Sequence, residues 1–144
     1  MARYKIITPE KIIAAINIRV RITDINYGNH LGNDALVSLI HEARVAWLKQ
    51  GGFSEMNVGG CGTIMNELLV NYLHESFYGD DLCFEISIGD YSSSSFEIYY
   101  NISTTRNEKN IIIAKAKTGM VCFDYEKKKI APISDDFKSF LEII

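Results

Sequence analysis

The sequence has few of the features that would restrict it to a specialised class of protein. Its cysteines are odd in number and widely spaced, without a Cys-x-x-Cys pair: Cys61, Cys83 and Cys122. This pattern argues against a disulfide scaffold or a zinc site, so a reducing cytoplasm is the expected location. Only two prolines occur, one near each end. Because no repeat or linker separates them, residues 1–144 are expected to fold as one domain.

Other absences exclude several classes of partner. No apolar run approaches the roughly 20 residues of a transmembrane helix, and the N-terminal segment lacks the apolar stretch of a signal peptide. A net charge of −3 argues against general nucleic-acid binding, so we expect neither nucleic acid nor a membrane as partner. The nucleotide-binding motifs Gly-x-Gly-x-x-Gly and Walker A are missing. A hydrophobic content of 47% instead indicates a globular chain with one sizeable core.

Alternation of apolar and polar residues predicts the strands. Toward its end, the segment 12–23 places four apolar side chains on one face: Ile16, Ile18, Val20 and Ile22. Four further segments are predicted as strands, at residues 63–74, 82–88, 96–102 and 111–123. Polar turns are expected between them, at residues 75–81, 92–95 and 105–110. Consecutive strands joined by such turns favour an antiparallel sheet.

The period changes to that of a helix after the first strand. Apolar residues at steps of three and four form one predicted buried stripe: Leu36, Leu39, Ile40, Ala43 and Trp47. Asn33 or Asp34 is the predicted N-cap and Gly51-Gly52 the stop, for a length of about 16 residues. A short closing helix is expected up to Leu141, with Ser134 as N-cap. Helices segregated from an antiparallel sheet indicate an α+β fold, with five strands wrapped around the long helix.

The loop between the first strand and the long helix is the least ordinary segment. Residues 24–34 read Asp-Ile-Asn-Tyr-Gly-Asn-His-Leu-Gly-Asn-Asp. Such residues favour turns, so composition alone is also explained by turn and cap chemistry. Directly before a helix, however, free backbone N–H groups and the helix dipole can hold a developing oxyanion. With an Asp, Asn or His to position a water, this is the minimum equipment for hydrolysis of an acyl thioester.

The loop and the helix together resemble a known signature. Hotdog-fold thioesterases of the 4-hydroxybenzoyl-CoA thioesterase type carry Asp-x-Asp-x-x-Gly-His-Val-Asn-Asn, then a long helix with Glu-Ala-Arg and an aromatic residue. This chain matches with Asp24, His30 and Asn33, then with the helix residues 42–44 and Trp47. The segments 67–73, 77–80 and 130–133 resemble later parts of that family. The resemblance spans about residues 15–140 and implies the hotdog fold.

The chain departs from this signature at the second aspartate, which is Asn26 here. In the benzoyl-CoA branch that carboxylate is the nucleophile or general base, and an amide can be neither at neutral pH. The signature glycine is displaced to Gly28, and Gly32 replaces the first asparagine. An Asn and a His in this loop resemble the plant acyl-carrier thioesterases more closely.

That resemblance implies a role for each loop residue. His30 would be the base or would orient the water, and Asn26 would hold water or substrate. Asp24 would orient its neighbours, and the backbone N–H near Asn33 would polarise the thioester carbonyl. Alternatively, Asp24 is itself the base if the loop places it forward.

The implied activity is hydrolysis of an acyl-CoA or acyl-carrier thioester to acid and thiol. No metal or bound cofactor is expected, since coenzyme A is part of the substrate. Family members pair edge strands into a dimeric sheet with active sites at the interface, so a homodimer or homotetramer is expected. Basic side chains for the coenzyme A phosphates are available at Arg106, Lys109, Lys115, Lys117 and Lys127–Lys129.

Two other functions are compatible with the same fold. The change to Asn26 makes a non-catalytic acyl-CoA-binding protein the main alternative. A hotdog hydratase is less favoured, because its pairing of a His with a helix carboxylate is not recognisable here. Glu42 is expected to be solvated or to form an inter-subunit salt bridge. Arg44 is expected to pair across a subunit contact.

Overall fold

The computed structural model describes residues 4–142, which form one antiparallel sheet and two helices longer than one turn. The strands are β1 (Ala14–Arg19), β2 (Gly62–Tyr72), β3 (Asp81–Tyr91), β4 (Ser95–Arg106), β5 (Lys109–Asp124) and β6 (Lys129–Ile130). The helices are α1 (Asn33–Gln50) and α2 (Asp135–Leu141). The sheet order is β1-β3-β4-β5-β2, with the short β6 beside β5. The predicted α+β class is therefore confirmed, with one strand more than the five expected.

The core lies between α1 and the inward face of the sheet. The predicted stripe of α1 is buried, and Leu48 joins it. It packs in one cluster with fully buried side chains of β3 and β4: Leu82, Phe84, Ile86, Ile98, Tyr100 and Ile102. Burial of each large apolar side chain contributes about 1.5–3 kcal/mol. This packing fixes the position of α1 and therefore of its N-terminus.

The start of α1 differs from the prediction. The N-cap is Gly32, whose carbonyl accepts the first helical hydrogen bond from the Leu36 N–H at 3.0 Å. Asn33 is already helical, and its Oδ1 accepts from the Asp34 N–H at 2.9 Å. The helix has 18 residues, and the predicted stop is confirmed, with Gly51 as C-cap and Gly52 at φ 79°. The left-handed conformation at Gly52 suits a residue without Cβ.

The first strand is shorter than predicted. Ile16 and Val20 are buried and Ile18 is half-buried, as expected for one face, but Ile22 is 69% exposed. The reason is a short 3-10 turn at Ile22–Asp24, which ends the alternation before Ile22 can point inward.

The hairpin between β4 and β5 is tighter than predicted. Only Asn107 and Glu108 form the turn, at φ 50° and 66°, so both strands extend into residues expected to be polar loop. β2 and β5 are antiparallel, and their last register pair is Tyr72 with Ala114, so the start of β5 extends past the end of β2. Residues 109–113 of β5 have no β2 neighbour, and this end of the sheet is open to a cleft.

The short helix α2 closes the opposite end of the core. Its N-cap is Ser134, as predicted, and the Ser134 hydroxyl accepts from the Phe137 N–H at 3.1 Å. Phe140 stacks on Trp47 with ring centroids 5.0 Å apart, and Phe137 packs edge-on against Phe96. The C-terminal end of α1 is therefore anchored by aromatic contacts, far from the helix start.

Arg44 does not have the environment predicted for it. Its side chain is buried, and Nε donates to Glu55 Oε2 at 3.0 Å while Nη1 donates to the Tyr100 hydroxyl at 3.3 Å. The Tyr100 hydroxyl lies 2.9 Å from Thr118 Oγ1. Arg44 therefore pairs within its own chain, while Glu42 is exposed on the polar face of α1. In residues 4–142, no helix is long and apolar enough to cross a membrane.

Candidate functional site

A cleft lies where the start of α1 meets the end of β2. Its volume is about 930 Å³, and its lining comes from the loop before α1, from the first turn of α1 and from the segment after β2. Asn26, His30 and Asn33 all line it, whereas Asp24 does not. Three of the predicted site residues are thus brought to one place by the packing of α1 against the sheet.

The loop is shaped by Asn26. Its Oδ1 accepts from the Gly28 N–H at 2.9 Å and from the His30 N–H at 3.3 Å. Its backbone N–H donates to the His30 carbonyl at 2.8 Å, which closes the loop on itself. Asn29 takes the left-handed conformation at φ 65°, which asparagine tolerates better than most residues with a Cβ. The Asn26 oxygen therefore presents His30 at the edge of the cleft.

His30 is paired with a residue that the sequence did not single out. Its Nε2 lies 3.1 Å from Glu75 Oε2, and its ring packs at 5.5 Å from the ring of Phe77. The Leu31 N–H donates to the Ser76 carbonyl at 2.8 Å, which ties the loop to the segment that carries Glu75. The sequence pattern predicts a turn at Glu75, and its position just after the second predicted strand is the one signal in the sequence that points to it.

Asp24 has a different environment from the other loop residues. It is buried, and its Oδ2 accepts from the Arg21 backbone N–H at 2.8 Å. The Arg21 guanidinium lies 3.2 Å from Asp24 Oδ1, and the Asp24 carbonyl accepts from the Gly32 N–H at 2.9 Å. These contacts hold the two ends of the loop together. The Asp24 carboxylate is therefore held by Arg21 and is not part of the cleft lining.

The start of α1 supplies backbone donors to the cleft. The first helical hydrogen bond is that of Leu36, so the N–H groups of Asn33–Ala35 have no partner inside the helix. Of these three groups, the Asp34 N–H donates to Asn33 Oδ1. The Tyr72 hydroxyl donates to the Asn33 carbonyl at 2.8 Å and links the helix start to β2. Burial and the nearby carboxylate of Asp34 raise the pKa of Tyr72, so this hydroxyl stays a donor at neutral pH.

The candidate phosphate-binding residues fall into separate groups. Lys117 is held between Glu67 and Glu97, with N–O distances of 3.0 and 2.9 Å. Lys127–Lys129 lie beyond the far end of β5, about 50 Å along the strand from Lys109. Arg106, Lys109 and Lys115 line a second cleft of about 750 Å³, next to the first. Only this last group is near the loop of His30.

Known proteins place the chain in a family. Residues 20–141 match the thioesterase-like superfamily. No curated protein matches the chain. Among solved structures, a 1,4-dihydroxy-2-naphthoyl-CoA thioesterase from Synechocystis is 21% identical with a TM-score of 0.78, covering 88% of this chain and 93% of its own.

Two further solved structures have the same fold. A mutant 4-hydroxybenzoyl-CoA thioesterase complexed with 4-hydroxybenzoyl-CoA is 15% identical with a TM-score of 0.79, covering 89% of this chain and 97% of its own. A gentisyl-coenzyme A thioesterase is 15% identical with a TM-score of 0.76, covering 89% and 99% respectively. These similarities confirm the hotdog fold expected from the sequence.

Proposed function

Because the chain belongs to the thioesterase-like superfamily, we propose that it hydrolyses acyl-CoA thioesters to a carboxylic acid and free coenzyme A. One observation carries the proposal. The paired side chains of His30 and Glu75 share a cleft with the open N-terminus of α1. A base and an oxyanion site in one cleft are what hydrolysis of a thioester requires.

In the proposed reaction, Glu75 accepts a hydrogen bond from His30 Nε2, so Nδ1 is the nitrogen that can take a proton. His30 removes a proton from a water molecule while the oxygen of that water attacks the carbonyl carbon of the thioester. The oxyanion that forms accepts hydrogen bonds at the start of α1, near the N–H of Asn33. The carbon–sulfur bond then breaks, and the thiolate leaves with the proton from His30.

Asn26 and Asp24 have supporting roles in this proposal. Asn26 holds the loop through its oxygen and contributes to the cleft lining next to the water. Asp24 accepts hydrogen bonds from Arg21 and Gly32 and keeps the loop against the helix start. Since the Asp24 carboxylate is buried against Arg21, His30 is preferred over Asp24 as the base.

A thiol-release assay over a panel of aliphatic and aromatic acyl-CoA substrates tests the activity. We expect turnover of at least one acyl class, with the acid and coenzyme A formed in equal amounts. In Asn26→Asp, a carboxylate replaces the amide, and the hydrogen bonds to the N–H groups of Gly28 and His30 can be kept. Unchanged turnover in this variant would agree with a supporting role, because the carboxylate oxygen can shape the loop equally well. Higher turnover would contradict it, since the added carboxylate would then act in the chemistry.

The main competing function is acyl-CoA binding without hydrolysis. The observation that favours it is the lack of a carboxylate at Asn26. Calorimetry tests whether the protein binds acyl-CoA. If it binds acyl-CoA and no substrate on the panel releases thiol, the protein is an acyl-CoA-binding protein and not a hydrolase.

We also propose that the protein forms a homodimer through the outer edge of β2. This strand has 11 residues, lies at the end of the sheet and exposes Ile64 and Met65. A long edge strand with exposed apolar side chains is a ready surface for pairing with a second copy. Tyr72, at the end of the same strand, lines the proposed active site, so the partner would lie close to it.

Light scattering on the purified protein should give the mass of a dimer or of a dimer of dimers. Met65→Lys should shift the mass toward the monomer, since an edge lysine opposes strand pairing. Met56→Lys, an exposed loop substitution, is the matched control and should leave the mass unchanged. A wild-type monomer that hydrolyses acyl-CoA at full rate would contradict an active site at the subunit interface.

A further inference from the structure

Glu75 lies on the connection between β2 and β3, residues 73–80, which contains neither helix nor strand. Its carboxylate nevertheless lies within hydrogen-bond distance of His30, with 3.1 Å between Glu75 Oε2 and His30 Nε2. A side chain on a connecting segment is held only as firmly as the backbone that carries it. The contacts that order residues 75–77 therefore also determine the geometry of the His30–Glu75 pair.

One carboxylate oxygen of Asp80 gathers this connection together. Asp80 Oδ2 accepts from the Ser76 hydroxyl and from the Phe77 N–H, both at 2.9 Å. The same oxygen accepts from Arg106 Nη2 at 2.8 Å. Burial tends to raise the pKa of Asp80, but these three hydrogen bonds outweigh it, and the pKa is lowered overall. The carboxylate is therefore charged at neutral pH and keeps all three donors.

Arg106, the last residue of β4, joins the rigid sheet to this connection. The nitrogen that bonds to Asp80, Nη2, also donates to the Glu75 carbonyl at 3.0 Å. The guanidinium carbon lies 4.9 Å from the centroid of the Phe77 ring, and a cation over an aromatic face is attracted to it. Arg106 thus holds both the backbone of Glu75 and the aromatic ring two positions later.

Phe77 extends the same support to the other member of the pair. Its ring centroid lies 5.5 Å from that of the His30 imidazole, with the two planes 58° apart. The Leu31 N–H donates to the Ser76 carbonyl at 2.8 Å, so the loop of His30 rests on the backbone of the same segment. Arg106 is therefore linked to Glu75 through the Glu75 carbonyl and to His30 through the Phe77 ring.

Asp80 and Arg106 lie outside the cleft in which the chemistry is proposed. His30 and Glu75 line that cleft, whereas Asp80 and Arg106 do not. The side chains of Asp80 and Arg106 are only 13% and 29% exposed, so their ion pair is largely removed from water. A sheltered pair with several hydrogen bonds holds its geometry more firmly than an exposed ion pair.

We propose that Asp80 and Arg106 hold the His30–Glu75 pair in its hydrogen-bonded geometry and are therefore positioning residues for the hydrolysis. The inference rests on the proposed function for the reaction that the pair performs. It goes further by assigning a role to two residues that do not line the cleft. Their effect is on the placement of the base, so it belongs to kcat and not to the binding of the substrate.

Substitutions of the ion pair test this role. Arg106→Gln should lower kcat about tenfold with KM unchanged, the scale of a lost supporting contact. Arg106→Lys keeps a cation and should recover part of the loss, and Asp80→Asn should resemble Arg106→Gln. Glu97→Gln is the matched control and should leave kcat unchanged. Glu97 accepts from Lys117 Nζ at 2.9 Å and from the Asp90 N–H at 3.2 Å, yet it lies outside both clefts.

A double-mutant cycle with His30→Ala separates positioning from a general loss of stability. Without the imidazole there is no pair to position, so Arg106→Gln should lower the residual kcat by less than about twofold in that background. Losses that multiply in full would mean that Arg106 acts on the fold as a whole, and the proposal would be wrong. A higher KM with unchanged kcat would make Arg106 a substrate-binding residue instead. If Arg106→Gln does not fold, Asp80→Asn serves in the same cycle.

Crystal structures of the variants separate this proposal from the hydrolase proposal. In Arg106→Gln, Glu75 Oε2 should lie beyond hydrogen-bond distance of His30 Nε2, whereas Glu97→Gln should keep the contact near 3.1 Å. If no thioester is hydrolysed but the contact is lost in this way, the positioning stands and hydrolysis fails. If thioesters are hydrolysed and Arg106→Gln keeps both the contact and full kcat, hydrolysis stands and the positioning fails.

Discussion

His30→Ala is expected to lower kcat for thioester hydrolysis by about 10²-fold or more, the usual loss when an acid–base group is removed. KM should change little, because the imidazole acts on the water and the carbonyl rather than on the carrier. His41→Ala is the matched control, since His41 is an exposed histidine of α1 outside the cleft. Retention of full activity by His30→Ala with a normal thermal unfolding curve would remove His30 from the mechanism.

Glu75 is expected to act through His30. Glu75→Gln keeps the shape of the side chain but loses the charge that supports a protonated imidazole, so kcat should fall about tenfold or more while KM is kept. Glu75→Asp should recover part of the loss, which a purely structural role would not predict. Glu42→Gln, on the exposed face of α1, is the control carboxylate. If kcat fell more in Glu42→Gln than in Glu75→Gln, Glu42 and not Glu75 would be the carboxylate that acts through His30.

Arg44→Met is expected to be the most destabilising single change among those considered, with a loss of about 3–5 kcal/mol in the free energy of unfolding. The buried guanidinium bonds to Glu55 and to the Tyr100 hydroxyl, which is itself fully buried. Its removal leaves a partly buried carboxylate without its cation and takes one partner from that hydroxyl. Lys49→Met, an exposed cation on the same helix, should cost much less.

A second substitution separates lost packing from an uncompensated charge. In the Arg44→Met background, Glu55→Gln should restore part of the stability, because it removes the charge that lost its partner. Chemical denaturation of the two single variants and the double variant measures this coupling. Strict additivity would mean that Arg44 stabilises the fold through its apolar contacts alone.

The same network predicts how stability depends on pH. Burial tends to raise the pKa of Glu55, but the hydrogen bonds from His41 and Arg44 outweigh it, and the pKa is lowered overall. A carboxylate whose pKa is lower in the folded state contributes stability above its unfolded pKa and loses it as the pH falls through the folded value. The wild type should therefore lose this contribution in acid, below about pH 4. Arg44→Met should show a weaker acid dependence.

Much of the architecture was predictable because it follows from local periodicity. The buried stripe of α1 from Leu36 to Trp47 is set by residue spacing within one helix. It can therefore be identified without knowing which residues it packs against. The alternation in β3 and β4 is equally local. Predictions at the ends of elements were poorer, as at Gly32 and Ile22, where one backbone hydrogen bond or one short turn decides the boundary.

The α+β class, the family signature and the choice of the loop from Asp24 to Asn33 as the place to search for chemistry all follow from the order of the residues. Which side chains meet at that loop depends on how the chain packs in three dimensions. Glu75 lies 45 positions after His30, and Arg44 meets Tyr100 on the other side of the core. Such contacts depend on sheet register and on where α1 packs, and no local pattern encodes those. The same holds for the second cleft, which exists because the first residues of β5 extend past the last residue of β2.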